Sequence, residues 1–281
     1  MLVEYSLLCL AAVAAGAINA VAGGGTLLTF PALLLAFGSS GDAAVAANAT
    51  STVALVPGAI AALTGYRDEI RQEKRWAALL LGPSLAGGLI GSLLLVVLPS
   101  DVFRTLVPWL ILTAAVLFAL QPSIARWAGL NKPSLAPGVP TVATDPGESD
   151  LDIHRPISTA LLAAALTAQF LVAVYGGYFG AGIGILMLSS LALMGMEDIH
   201  RMNAVKTFLN LAINGTSVLV FVSCGLVHWR FAAAMAVSSI VGGYLAARTI
   251  RRVNKQAVRL LIVGIGFTLA GYYLYREFLG Q

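Results

Sequence analysis

The chain has 281 residues, of which 58% are hydrophobic and 11% charged, with a mean hydropathy of +0.87. Soluble domains carry about 45–50% apolar and about 25% charged residues, so the composition excludes a soluble globular protein and implies an integral membrane protein embedded in the lipid bilayer. The formal charge of +4, from 17 basic and 13 acidic residues, bears first on topology in such a chain and not on nucleic acid.

The opening residues MLVEYS carry no Lys or Arg, and no small-residue cleavage site precedes a polar chain. The first apolar segment is therefore expected to stay in the membrane. A bilayer core of about 30 Å needs about 20 apolar residues per helix. On that measure the segments are Leu2 to Ala22, a short Thr26 to Phe37, Ala43 to Thr64, Trp76 to Leu98 and Val102 to Leu120. The stretch NKPSLAPGVPTVATDPGESDLD then reads as a flexible connector. Beyond it the order recurs: Ile157 to Tyr175, a short Ile183 to Gly195, Ile199 to Ser223, Trp229 to Ile250 and Val258 to Phe278. The organisation is thus a first transmembrane repeat (1–120), a connector (121–155) and a second repeat (156–281).

Residue matches support the repeat. Gly23, Gly24 and Gly25 fall on Gly180, Ala181 and Gly182 at an offset of 157, while AANATS (46–51) falls on RMNAVK (201–206) at 155. At 155, AGGLIG (86–91) also falls on VGGYLA (241–246), and Phe103–Arg104 on Val258–Arg259. Charge then tests the turn-back at the second break, and the first is inferred from the repeat, because no Lys or Arg precedes Tyr66. If each glycine-broken element crosses the bilayer, the basic residues divide nine to eight between the sides. If the chain turns back at the glycines, only Arg104, Arg230 and Arg276 lie on one side and fourteen on the other. The positive-inside rule selects the second arrangement. Each half then has four long helices and a short returning arm, the halves are inverted, the connector is cytoplasmic and both termini face outward. The fold expected is an all-α polytopic membrane protein.

A turn-back inside hydrocarbon leaves backbone N–H and C=O groups that lipid cannot satisfy, so it must be buried in protein or line a cavity. Glycine accepts the backbone angles such a turn needs and admits a close neighbour. The arms Thr26 to Phe37 and Ile183 to Gly195 would then start at mid-membrane, aiming N–H groups and partial positive charge at a small anion, a contribution of roughly 0.3–1 kcal/mol per end. Gly87, Gly88, Gly91, Gly242 and Gly243 read instead as small residues that let helices pack closely. GGYFGAGIG (176–184) lacks the preceding strand and the acidic residue of a dinucleotide site.

Polar residues inside the apolar runs complete the candidate site. Asn48, Thr50 and Ser51 share one long segment, Asn203, Lys206, Thr207 and Asn210 its repeat partner, and Asn19 and Gln169 stand just ahead of the breaks. The spacing puts Asn203, Lys206, Thr207 and Asn210 on one helical face. Lys206 either faces a cavity, as an intramembrane lysine does by default, or snorkels to the basic side. Every Asp and Glu lies at a loop, a terminus or a helix end, which disfavours cation transport through a buried acid. Helix starts, amides, hydroxyls and one lysine suit a small oxyanion. Cys9 and Cys224 lack ligand-like spacing, so neither a disulfide nor a metal is expected. His154, His200 and His228 flank helices or lie in the connector and read as solvated.

GAINAVAGGGTLLTFPALL followed by AAVAANATS, and GGYFGAGIGILML followed by RMNAVKTFLNLAIN, resemble the two signature regions of the sulfite exporter TauE/SafE family of bacterial membrane permeases, over nearly the whole chain except the connector. The resemblance implies an inner-membrane permease for small sulfur-containing or organic anions such as sulfite and sulfonates, often outward. Its motif positions fall on Gly23, Gly24, Gly25, Asn48, Gly180, Gly182, Asn203 and Lys206; the first break reads VAGGG where GxGGG is commoner. The expectation is therefore a secondary transporter, with substrate held by Gly23, Gly24, Gly25, Thr26, Asn48, Thr50, Ser51, Gly180, Gly182, Asn203, Lys206, Thr207 and Asn210. One half would rock against the other, and no cofactor is needed. A passive anion channel is the alternative. An enzyme would need a nucleophile with a base or a metal cluster, and the sequence holds neither. The coupling ion is not legible, and a homo-oligomer is compatible with the sequence.

Overall fold

The computed structural model describes residues 2–21, 23–38, 40–127, 159–194, 196, 198–249 and 255–278. Among them are eleven α-helices and no strand: α1 (Leu2–Val21), α2 (Thr26–Phe37), α3 (Gly41–Thr64), α4 (Arg67–Gln72), α5 (Lys74–Val97), α6 (Ser100–Trp127), α7 (Thr159–Tyr178), α8 (Ile183–Leu193), α9 (Ile199–Ser223), α10 (Trp229–Thr249) and α11 (Lys255–Phe278). Four of them, Gly41–Thr64, Lys74–Val97, Ser100–Ser123 within α6 and Ile199–Ser223, are long and apolar enough to cross a membrane. Helices α1, α7, α10 and α11 have 20 to 24 residues, about 30–36 Å at 1.5 Å per residue. The expected polytopic all-α fold is what forms. The connector expected at 121–155 lies largely outside the described residues.

Local chemistry accounts for the boundaries that differ from the apolar runs. Helix α4 carries no apolar stripe: it is RDEIRQ, a charged single turn and a half with no buried residue, invisible to hydropathy. Helix α7 runs on through Gly176 and Gly177 to Tyr178, because the missing side chain of Gly177 lets its backbone lie directly on that of Gly88, the close approach that small residues permit between apolar helices. Helix α3 starts earlier, at Gly41, where the Ser40 hydroxyl accepts from Ala43 N at 3.2 Å as an N-cap.

The packing mixes the two sequence halves. Helix α10 packs along α1 and α3, and α5 packs along α7 and α9. Tyr5 in the first turn of α1 stacks on Phe231 in the first turn of α10, ring centroids 5.2 Å apart, while Gly16 lies on the Ser239 backbone; α1 and α10 are parallel. Ser84 meets Gln169 at 2.8 Å and Gly91 meets Val174 and Tyr178, so α5 and α7 are parallel too. Helix α9 begins where Arg201 reaches Glu73 at 3.2 Å, just past the end of α3, and beyond its other end His228 N donates to Thr50 Oγ1 at 3.1 Å. Helices α3 and α9 are therefore antiparallel. The result is one bundle of α1, α2, α3 and α10, a second of α5, α7, α8 and α9, and α6 paired with α11.

The contacts themselves repeat with the sequence offsets. A Cβ on Gly87 would lie 2.6 Å from the Phe170 carbonyl oxygen, and one on Gly242 would strike that of Val13; Gly242 is Gly87 displaced by 155, and Phe170 is Val13 displaced by 157. Gly88 likewise faces Ile213 O at 3.1 Å and Gly243 faces Gly58 O at 3.0 Å, each pair displaced by 155. These glycines pack helices, as their spacing suggests.

Both glycine breaks are reversals. Phe37, the last residue of α2, meets Phe231 edge to face at 5.3 Å, the same ring that stacks on Tyr5, so α2 returns to the level at which α1 began. Met194, just after α8, shares a core cluster with Leu80, Ala165 and Met202, residues of the first two turns of α5, α7 and α9.

Candidate functional site

The first break is built by Gly23 (φ +73°) and Gly24 (φ +116°), a conformation closed to side-chain-bearing residues at the second position. Gly25 is different. Its backbone is helical (φ −55°, ψ −25°), and its constraint is space, since a Cβ would stand 2.5 Å from the Ala15 carbonyl oxygen. Asn19, one turn earlier, accepts from Gly24 N at 2.9 Å and Gly25 N at 3.0 Å, so the polar side chain just ahead of the break holds the backbone that leads into the arm. The second break uses left-handed Gly180 (φ +81°) and Gly182 (φ +79°), and is tied by Tyr175 Oη donating to Ala181 O at 2.8 Å. No side chain caps α8. Its ladder opens with Ile185 N donating to Gly182 O at 3.1 Å, leaving the Ile183 and Gly184 N–H groups ahead of it.

The two breaks meet backbone to backbone. A Cβ on Gly23 would lie 2.9 Å from Gly184 Cα, and one on Gly24 would lie 3.2 Å from Gly182 N and 2.6 Å from the Phe118 ring. The Thr26 hydroxyl stands beside Gly180. Gly182 is level with Ala114, the middle of the 28-residue α6. The starts of α2 and α8 therefore converge halfway along the longest helix.

Asn48 bridges the two bundles at this point. Its Nδ2 donates to Tyr178 O, the last residue of α7, at 3.0 Å. Asn48 is 1% exposed, and its Oδ1, like the Tyr178 hydroxyl, is buried without a hydrogen-bond partner among the described residues. Tyr178 meets Phe103 edge to face at 5.5 Å, and Phe30 meets Phe103 and Phe179 edge to face at 6.2 and 5.4 Å. Ser51 turns to the Thr29 hydroxyl in the first turn of α2. Thr50 points elsewhere and holds the backbone of His228.

The α9 residues do share one face, as their spacing predicts. Lys206 is 1% exposed, its ammonium donating to Asn203 Oδ1 at 3.0 Å, so it does not snorkel to the surface. Thr207 Oγ1 donates to Asn203 O at 2.7 Å, and Asn210 Oδ1 accepts from Asn214 Nδ2 at 2.9 Å. Asn214 extends the stripe by one turn and was recoverable from its i+4 spacing. No described carboxylate pairs with Lys206, and burying a lysine without a counter-charge is costly. Asn48 and Lys206 are each the eighth residue of antiparallel helices, about 10 Å from opposite ends. The structure therefore separates what the sequence grouped: Gly23, Gly24, Gly25, Thr26, Asn48, Ser51, Gly180 and Gly182 cluster at the breaks. Asn203, Lys206, Thr207 and Asn210 form a second station along α9, and Thr50 joins neither.

The model of the family described as Sulfite exporter TauE/SafE matches residues 8–273. The chain is 26% identical over 265 residues to a probable membrane transporter protein of Sinorhizobium sp, covering 94% of this chain and 89% of that one. It is 26% identical over 261 residues to a probable membrane transporter protein of Haemophilus influenzae (92% and 90% covered), and 26% over 264 residues to one of Escherichia coli (94% and 87%). No solved structure matches it. A chain of long apolar helices, matched by this family's model over residues 8–273, is a multi-pass membrane transporter and belongs to the sulfite exporter TauE/SafE family.

Proposed function

We infer that the protein is a secondary transporter of small sulfur-containing or organic anions, such as sulfite or sulfonates, and exports them across the inner membrane of a bacterial cell. The observation that carries this reading is the meeting of two reversed helix starts at the middle of α6. Broken helices that present their N-termini at mid-membrane are how transporters hold anions in a low-dielectric interior. Lys206, buried with no carboxylate partner among the described residues, supplies the positive charge that an entering anion neutralises.

The orientation follows the positive-inside rule: the charged α4 corner, the start of α9 and the connector face the cytoplasm, and both termini face outward. Asn48 then approaches the site from the outer side and Lys206 from the inner. The bodies that exchange access are the two mixed bundles and not the sequence halves, because α10 is packed along α1 and α3 and α5 along α7 and α9. Asn48 and the touching glycines lie on their seam.

Thermal stabilisation of the purified protein against sulfite, sulfate, thiosulfate, sulfoacetate, taurine and short carboxylates tests the reading. A shift with a sulfur oxyanion that disappears in Lys206→Ala is expected. Stabilisation by none of these anions would overturn it.

A further inference from the structure

Three phenylalanines close the seam between the bundles on one side of the glycine breaks. Phe30 of α2 meets Phe179, just past α7, at 5.4 Å, and both rings lie against Phe103 in the first turn of α6, at 6.2 and 6.3 Å. All three are 0–1% exposed, which makes the layer dry. Phe103 precedes Ala114, the residue level with Gly182, by about 16 Å of helix. The layer therefore lies between the breaks and the end of α6 at which Ser100 packs on Gly41, the outward end under the positive-inside rule. Asn48 crosses the seam beside it, donating to Tyr178 O at 3.0 Å, and the Tyr178 ring rests on Phe103 at 5.5 Å.

The repeat equivalents do not reproduce this closure. Met187 is Phe30 displaced by 157, and it packs with Leu80, Ala165 and Val205 of its own bundle. Asn203 is Asn48 displaced by 155, and its Nδ2 donates to Ile199 O within α9 at 2.8 Å. At the positions equivalent to Phe179 and Phe103 the sequence carries Ala22 and Val258, neither of them aromatic. The two faces of the breaks are thus chemically unequal. Closure at the aromatic face also has a cost, because Asn48 Oδ1 and the Tyr178 hydroxyl are buried there without partners among the described residues. Each has lost its water with nothing in exchange, and parting the bundles at this level would return both to water.

We propose that the Phe30–Phe103–Phe179 layer, fastened by Asn48, is the outward gate of the transport path, and that the stranded Tyr178 hydroxyl keeps its closure shallow enough to reverse. Apolar rings exclude water when the gate is shut, and the unsatisfied polar atoms favour its opening. The proposal rests on the alternating-access part of the reading above and holds whatever the solute.

Cysteine accessibility in right-side-out and inside-out vesicles tests the gate. With Cys9 and Cys224 replaced, the full-length protein carries Thr26→Cys, beside Gly180 and behind the layer, and reacts with a membrane-impermeant thiol reagent. Ser51→Cys serves as a second reporter. Phe30→Ala is expected to speed labelling from the outward side about tenfold or more. Tyr178→Phe keeps the ring against Phe103 and removes only the hydroxyl, so labelling from that side should slow about tenfold, the scale of one unsatisfied buried group. If Phe30→Ala fails to fold, Phe30→Leu takes its place, with a several-fold acceleration expected. Unchanged labelling in the Phe30 variant, or acceleration confined to the cytoplasmic side, would overturn the gate. Labelling that Tyr178→Phe leaves unchanged or speeds would overturn the role of the hydroxyl. No anion enters this assay, so failure of the anion reading shows separately, as absent stabilisation by sulfur oxyanions.

Discussion

Gly24 and Gly182 touch across the seam between the two mixed bundles: a side chain on Gly24 would reach within 3.2 Å of the Gly182 amide nitrogen. The two glycines are nonetheless held there for different reasons. Gly182 is left-handed at φ +79° with its nearest foreign atom 3.6 Å from a Cβ position, whereas Gly24 sits at φ +116° with the Phe118 ring at 2.6 Å. Asparagine tolerates the left-handed region and nothing but glycine tolerates the other. Gly182→Asn is therefore expected to keep most of the wild-type transport rate, and Gly24→Asn to lose it while membrane insertion is preserved. Proteoliposome uptake alongside membrane fractionation checks both, and equal loss in the two variants would refute the distinction.

Asn19 anchors the first arm by accepting from two backbone N–H groups. Asn19→Ala orphans both and should cost about 0.5–2 kcal/mol of stability, the usual magnitude for a lost cap. Asn19→Asp, which retains the acceptors, should cost less. Melting temperatures in detergent read the difference.

Lys206 buries an ammonium against one neutral acceptor. A buried ammonium that lacks a counter-charge among the described residues carries an uncompensated desolvation cost, and an apolar residue of similar length removes it. Lys206→Met should raise or preserve the melting temperature of the ligand-free protein and abolish anion-dependent stabilisation. A variant that still responds to anions would remove Lys206 from the transport path.

The bundle assignment makes a cross-linking prediction. With Cys9 and Cys224 first replaced, a disulfide between cysteines at Tyr5 and Phe231, within one bundle, should leave transport intact. One between cysteines at Phe30 and Phe179, across the seam where their rings stand 5.4 Å apart, should stop transport until it is reduced. Inhibition by both would mean that the bundles do not move as units.

Topology is checked by accessibility labelling. Single cysteines placed in 121–155 should react only from the cytoplasmic side and one at Gln281 only from outside. A cytoplasmic Gln281 would overturn the inverted arrangement.

Hydropathy and glycine punctuation are properties of neighbouring residues, and the sequence alone was enough to locate the long helices, the two short arms and the breaks between them. The same local rule concealed α4, which has no apolar stripe, and cut α7 short at a Gly-Gly pair that only the backbone of Gly88 explains. The face shared by Asn203, Lys206, Thr207 and Asn210 was legible because it is fixed by helical spacing. Which residues meet was not. Asn48 finds Tyr178 130 residues away, Thr50 is drawn off to His228, and Lys206 is kept about 10 Å from one end of α9 while Asn48 lies the same distance from the opposite end of α3. Those outcomes depend on α10 lying along α1 and α5 along α7, and so on close packing between glycines in different halves of the chain, which no local pattern specifies.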